Sequence, residues 1–271
     1  MVYVVKVPGI NGLGKTKGCE GAGNAIIAEL RNIHTNEQGK EINVDALELE
    51  EIHLDNGDVE KSNELIYKNA FESYEEKSRV VFLGGDHSVS YSLTRAFFDY
   101  MDTKGEGREP CLIVFDAHPD VMPAMKEPTH EEWLRKLIED GFPVKNILLV
   151  GVRNSYGEEV RFLKEKGIRS ISINQIQENL SEMCEVIMEF ASGKELYVSI
   201  DIDVVDPAFA PSTGYQVPGG LTSREMLYII QRMNKMKNLK AVDIVEINSE
   251  KDKERDNITV KLGSKILGEV V

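Results

Sequence analysis

Leu112-Ile113-Val114-Phe115-Asp116-Ala117-His118-Pro119-Asp120 passes from four apolar residues directly into a run of metal-binding side chains. A short apolar run of this kind reads as a strand buried on both faces. Two more stretches share the construction. Val80-Val81-Phe82-Leu83 leads into Gly84-Gly85-Asp86-His87-Ser88, and Leu196-Tyr197-Val198 leads into Ser199-Ile200-Asp201-Ile202-Asp203-Val204-Val205-Asp206-Pro207. In an open α/β sheet, ligands bind in the crevice at the carboxyl ends of the strands. Three such ends would bring His87, Asp116, His118, Asp120, Asp201 and Asp203 to one place. The expected fold class is α/β, with three α/β/α layers around a mainly parallel sheet.

Working outward, strand-like and helix-like periods alternate along the chain, as a parallel sheet covered on both faces requires. Strands are predicted over 3–7, 44–49, 79–83, 111–116, 146–150, 169–173, 196–201 and 241–246. Helices are predicted over 24–33, 62–77, 88–101, 130–140, 158–166, 181–191, 223–236 and 258–269. Thr222 with Glu225 three residues on has the form of a capping box. No internal repeat or low-complexity linker divides the chain, so one domain over 1–271 is expected. The loops 120–129 and 207–221 leave the ends of metal-binding strands, where loops shape pockets.

The chain carries 46 acidic against 32 basic residues, a formal net charge of −14. That balance argues against a nucleic-acid partner and suits cations, whether metal or substrate. Cys19, Cys111 and Cys184 have no metal-ligand spacing and read as free thiols of a reducing compartment. No run approaches the roughly 18 apolar residues of a membrane span. Met1-Val2-Tyr3-Val4-Val5-Lys6-Val7 reads as a first strand, not a leader. The expectation is a cytoplasmic protein with no membrane partner.

Residues two apart on a strand point to the same side, so Asp116 and His118 can converge, as can Asp201 and Asp203. Oxygen-rich ligands with a minority of imidazole suit a hard or borderline divalent cation, Mn²⁺ above all. Four close carboxylates would repel one another, whereas two divalent cations would balance them. Asp86 reads as support behind His87, and Asp206 as a turn carboxylate. His34 and His53 read as surface residues.

The three runs closely resemble the signatures of the ureohydrolase (arginase and agmatinase) family. The resemblance extends to Lys17-Gly18-Cys19-Glu20-Gly21-Ala22, Gly151-Val152-Arg153, Pro218-Gly219-Gly220-Leu221-Thr222 and Val245-Glu246-Ile247-Asn248. It implies two Mn²⁺ per chain, one held by His87, Asp116, Asp120 and Asp201, the other by Asp116, His118, Asp201 and Asp203. It also implies that Glu246 binds a guanidinium, that Asp120 orients the attacking water, and that His130 shuttles a proton to the leaving amine. The products would be urea and an amine, and the assembly a homo-oligomer, a trimer or hexamer.

Departures bear on the substrate. Val121-Met122-Pro123 and Asn154-Ser155-Tyr156 stand where arginase-like members clamp an amino acid, so a small cationic guanidino substrate without that clamp, agmatine, is favoured slightly over arginine. A formimino compound such as that of a formiminoglutamase, or another guanidino acid, is the alternative within the family. Glu131 replaces the Gly that usually follows the shuttle histidine, Ser249 a Pro, and Ser212 and Tyr215 alter a glycine-rich loop.

Gly9-Ile10-Asn11-Gly12-Leu13-Gly14-Lys15-Thr16 matches the P-loop pattern after a first strand. A working P-loop needs a helix beginning at Lys15-Thr16 so that its N-terminus meets phosphate. Gly18, Gly21 and Gly23 disfavour that helix, and a glycine-rich surface loop is the expected structure. A non-catalytic metal-binding relative is the remaining alternative.

Overall fold

A computed structural model describes residues 2–105, 107 and 109–271; Met1 of the N-terminal run lies outside them. The strands are β1 (Tyr3–Val7), β2 (Glu48–Glu51), β3 (Val80–Gly84), β4 (Pro110–Phe115), β5 (Ile147–Val150), β6 (Arg169–Ile171), β7 (Glu195–Asp201) and β8 (Leu239–Val245). The principal helices are α1 (Ala22–Leu30), α2 (Val59–Glu76), α3 (Val89–Lys104), α4 (Trp133–Glu139), α5 (Gly157–Lys166), α6 (Ile173–Glu178), α7 (Leu180–Phe190), α8 (Ser223–Met233), α9 (Ser249–Asp252) and α10 (Ile258–Val270). The eight strands form one sheet in the order β2-β1-β3-β8-β7-β4-β5-β6, and every pairing is parallel.

Alternate strand residues feed two separate cores. Cys111, Ile113 and Phe115 of β4, with Leu196, Val198 and Ile200 of β7, pack under α1, α6, α7, α8 and α10. Leu112, Val114 and Tyr197 point the other way, into a core with Tyr74 of α2, Phe97 of α3, Trp133 of α4 and Phe162 of α5. Both faces are thus covered, which explains the near-continuous apolar runs of the central strands.

The chain winds outward from β1 on one half of the sheet and from β4 on the other, then returns through β7 and β8 to fill the centre. The four central strands, β3, β8, β7 and β4, are those whose carboxyl ends carry the His, Asp and Glu residues singled out above. This is the topological switch point where open α/β sheets bind ligands.

Several boundaries differ from expectation. The second strand begins at Glu48, because Val44–Ala46 forms a 3-10 turn capped by the Asn43 side chain. The sixth strand stops at Ile171, where Ser172 and Gln175 form a capping box and start α6, a helix not expected from periodicity. α4 begins at Trp133, three residues after His130, because Glu132 turns back to accept from the Thr129 N–H and hydroxyl. The Thr222–Glu225 capping box forms as expected at the start of α8. Gly85 is needed for a close approach: a Cβ there would lie 2.0 Å from the Gly9 carbonyl oxygen.

Candidate metal centre

Parallel register brings the three motifs level. Val114 of β4 pairs with Ser199 of β7, Ser199 pairs with Asp243 of β8, and Asp243 pairs with Phe82 of β3. Just beyond these positions, His87, Asp116, His118, Asp120, Asp201 and Asp203 converge. His87 Nδ1 lies 3.0 Å from Asp116 Oδ2, 3.0 Å from Asp120 Oδ2 and 3.3 Å from Asp201 Oδ2. His118 Nδ1 lies 2.9 Å from Asp203 Oδ2 and 3.6 Å from Asp116 Oδ1. Two overlapping groups able to hold a cation result: His87, Asp116 and Asp201, and Asp116, His118 and Asp203, with donor atoms within 4.8 Å of one another.

The donor set fits cations better than it fits itself. A single ring N–H cannot serve three carboxylate oxygens, and His87 Nδ1 and Asp116 Oδ2 are both buried without a hydrogen bond. Burial opposes charge on His87, yet Asp116, Asp120 and Asp201 hold its pKa well above the imidazole range. His118, likewise opposed by burial, is pushed up to about 12 by Asp116 and Asp203. Burial and neighbouring Asp116 lift Asp120 to about 7. Burial, with Asp203 and Asp116, holds Asp201 well above the carboxylate range. The cluster carries more negative charge than a dry crevice tolerates and draws in positive charge from protons or from cations.

A buried relay fixes how His87 presents itself. Ser199 Oγ donates its one proton to Asp243 Oδ1 at 2.7 Å. The Ser199 oxygen, 2.9 Å from His87 Nε2, must then accept from that ring nitrogen. Nε2 therefore carries a proton in either charge state, and Nδ1, on the carboxylate side, is left to take a second proton or to give its lone pair to a cation. Asp243 also accepts from Tyr197 and Ser90 hydroxyls, both at 2.8 Å. Losing the partner behind a metal-binding histidine commonly weakens metal affinity about 10–100-fold. Ser199→Ala should weaken Mn²⁺ binding within that range with unchanged circular dichroism; unchanged affinity in a calorimetric titration would dismiss the relay.

Other placements follow from the same elements. Trp133 at the start of α4 is fully buried and donates from Nε1 to Asp120 Oδ2 at 2.9 Å. Its ring lies 4.7 Å from the His87 ring. Asp120 and Glu246 both hold left-handed backbone conformations, φ 51° and 64°. Such strain in non-glycine residues gathers at functional sites. Glu246 Oε1 accepts from the His87 backbone N–H at 3.0 Å, and its own N–H donates to Gly85 O at 2.8 Å. Burial and then Asp86 push the Glu246 pKa well above its usual value, so a cationic guest would favour its ionised form.

His130 is buried and neither ring nitrogen has a hydrogen bond. It stacks on Tyr215 with ring centres 5.3 Å apart, while Lys15 Nζ sits 4.4 Å from the same Tyr215 ring. Burial, with the imidazoles of His87 and His118, lowers its pKa to about 4. His87, His118, Asp120, His130, Asp201, Asp203 and Glu246 all line one cleft of about 270 Å³.

Asp86 needs correction. Its carboxylate does not meet the His87 ring; it accepts from Asn11 N at 2.6 Å, Thr16 Oγ1 at 2.8 Å and the Ser88 side chain. Asp86 anchors the glycine-rich loop, and the group behind His87 is the Ser199–Asp243 pair. In that loop no helix begins at Lys15-Thr16: the first helical turn is Cys19–Gly21, with α1 from Ala22. Thr16 is committed to Asp86, so the phosphate cradle of a P-loop is not formed. Asp206 is a turn residue, accepting from Ala208, Gly219 and Gly220 N–H groups. His34 and His53 are exposed and away from the cleft.

Sequence reasoning missed Trp133 and Asp243. Asp243 had a visible signal, a lone carboxylate inside the apolar run Ala241-Val242-Asp243-Ile244-Val245, since buried charges are rare unless paired.

A parallel open sheet with a His- and Asp-lined crevice at its switch point defines an α/β protein able to hold divalent cations. The chain belongs to the arginase family, whose model matches residues 2–271. It is 30% identical over 194 residues to the N(1)-aminopropylagmatine ureohydrolase of Thermus thermophilus, covering 71% of this chain and 62% of that one. It is 32% identical over 225 residues to the agmatinase of Bacillus subtilis, covering 82% and 72%. The solved proclavaminate amidino hydrolase of Streptomyces clavuligerus superposes with a TM-score of 0.85 at 26% identity, covering 99% of this chain and 90% of that one. The match to the Thermus protein thus spans less than two thirds of its length. Among the described residues, no helix is long and apolar enough to cross a membrane.

Proposed function

We propose that this protein is a ureohydrolase, a metal-dependent hydrolase that cleaves a guanidino C–N bond to give urea and an amine. The observation that carries the reading is one cleft lined by both the His/Asp cluster and the buried carboxylate of Glu246. His87, Asp116, Asp120 and Asp201 would hold one divalent cation, and Asp116, His118, Asp201 and Asp203 a second, with Mn²⁺ the ion their donors suit best. When bound, the two cations neutralise four carboxylates and make water a competent nucleophile near neutral pH.

The chain's own residues do the rest. Glu246 receives the planar fork of guanidinium N–H donors, a geometry a carboxylate matches in bidentate fashion. Asp120, its Oδ2 held by Trp133 Nε1, orients the attacking water at the guanidinium carbon. Water adds to that carbon, the C–N bond to the substituted nitrogen breaks, and the departing amine needs a proton. His130, neutral and with both nitrogens free in the cleft, takes a proton released from water and passes it to that amine. His130→Asn should lower kcat about 10²–10⁴-fold with little change in KM. A near-normal kcat would remove His130 from the reaction.

Agmatine stands slightly ahead of arginine as substrate, and a formimino compound or other guanidino acid is the alternative. Belonging to the same proposal are one domain over 1–271, a cytoplasmic setting and a trimeric or hexameric assembly. The test is urea release by the Mn²⁺-reconstituted protein with agmatine and arginine side by side, beside a chelated control. Chelator-sensitive urea from either supports the reading. Cation binding without urea from any guanidine or formamide from a formimino substrate would point to a non-catalytic relative.

A further inference from the structure

The cleft carries a charge that the proposed reaction leaves unused. Two divalent cations would offset Asp116, Asp120, Asp201 and Asp203, and a guanidinium would offset Glu246. Glu159 is already occupied, its carboxylate accepting from Val121 N at 3.1 Å and Tyr156 N at 2.8 Å. Glu131 differs from all of these. It lines the cleft with its side chain 31% exposed, and its nearest ionic neighbour is His130 Nε2 at 3.9 Å, beyond hydrogen-bond distance. No Lys or Arg lines the cleft among the described residues. Lys15 is engaged with the cleft-lining Tyr215 ring, which stacks on His130, and Arg153 with backbone carbonyls that include Asp203 O.

Glu131 is held in place. Its backbone carbonyl accepts from Met122 N at 3.2 Å and its N–H donates to Thr129 Oγ1 at 3.3 Å. Thr129 is in turn fastened by Glu132 at the start of α4. The loop backbone is therefore fixed, and it places the Glu131 side chain on the cleft wall beside His130. Tyr156, 61% exposed and also lining the cleft, adds an aromatic ring of the kind that attracts ammonium groups.

We propose that Glu131 is a specificity-determining residue that receives a cationic group at the end of the substrate remote from the guanidinium, so that the substrate class is aminoalkylguanidines and not guanidino acids. This rests on the ureohydrolase reading. A tail ammonium gains a charge-assisted contact with Glu131, while a tail carboxylate meets like charge with no cation on the cleft wall to offset it.

Three substrates built on a four-carbon chain, with an ammonium, no charge or a carboxylate at the tail, test it: agmatine, butylguanidine and 4-guanidinobutyrate, each assayed for urea with the Mn²⁺-loaded full chain. The expected order of kcat/KM is agmatine first and 4-guanidinobutyrate last. In Glu131→Gln the ratio of kcat/KM for agmatine to that for butylguanidine should fall about tenfold, the loss of one charged contact. Glu131→Asp, which keeps the charge, should restore part of that ratio. Taking a ratio cancels any general effect on His130 or on folding. An unchanged ratio in Glu131→Gln, or a wild-type preference for 4-guanidinobutyrate, overturns the role of Glu131 and leaves the hydrolase reading standing. No urea from any of the three overturns the role of Glu131, and overturns the hydrolase reading as well if arginine and a formimino substrate are also left intact.

Discussion

Asp201→Asn should reduce urea release by more than about a thousandfold, well beyond the roughly 10–100-fold loss typical of residues that only support a ligand. Asp201 sits where β7 ends, with Oδ2 3.3 Å from His87 Nδ1, and its Oδ1 accepts from Asp203 N at 2.7 Å. It belongs to the group formed with His87 and Asp116 and adjoins the one formed with His118 and Asp203. Replacing one oxygen with an amide removes a negative charge and a donor atom where two cations would compete for both. The backbone turn survives because Asn can still accept from Asp203 N. Metal content and turnover should therefore fall together while the fold persists. Asp120→Asn should behave similarly, since it loses the carboxylate held between Trp133 and His87. Near-normal urea production by either variant would sink the two-cation reading.

Removal of divalent cations should lower the melting temperature by roughly 10 °C or more. Each site filled at about 100 times its dissociation constant stabilises the native state by about 2.7 kcal/mol. For a chain of this size, each kcal/mol moves the midpoint by about 2–4 °C. The direction follows from the centre itself: without cations, buried carboxylates of Asp116, Asp120, Asp201 and Asp203 face one another, eased by protons taken up on His87, His118 and the carboxylates themselves. Differential scanning calorimetry before and after chelation, with Mn²⁺ and then Mg²⁺ restored, measures the effect. A midpoint insensitive to every divalent cation would mean the cluster is structural.

Much of the molecule was legible because its central strands are buried on both faces. Runs such as Leu112–Phe115 have no polar face to present, and their boundaries with Asp116, His87 and Ser199 mark where the sheet ends and the crevice begins. Strand edges were less legible. β2 lies at the sheet edge, and its residues Glu48, Leu49 and Glu50 are exposed, so apolar patterning could not separate it from the preceding 3-10 turn. α6 was missed because its signal is the Ser172–Gln175 capping pair, which acts through two backbone N–H groups and leaves little hydrophobic period in a six-residue helix.

The candidate centre divides along the same line. Donor identity is written locally: two imidazoles and four carboxylates in three short motifs declare the chemistry before any fold is known, because the types of atom alone select hard divalent cations. What those donors do to one another is a matter of three-dimensional proximity. Asp86 and His87 are neighbours in sequence, yet the Asp86 carboxylate holds the loop at Asn11 and Thr16, and Asp243, 156 residues beyond His87, supports the ring through Ser199. Glu131 follows the same rule. Sequence marks it as an acid where the family usually has glycine; only the packing of its loop places that acid on the wall of the cleft. Composition and local pattern determined the layers and the atoms available to a metal, since burial and donor type are properties of each residue. The tertiary structure alone decided which atoms share a charge, because Coulomb forces and hydrogen bonds depend on distances that sequence separation does not encode.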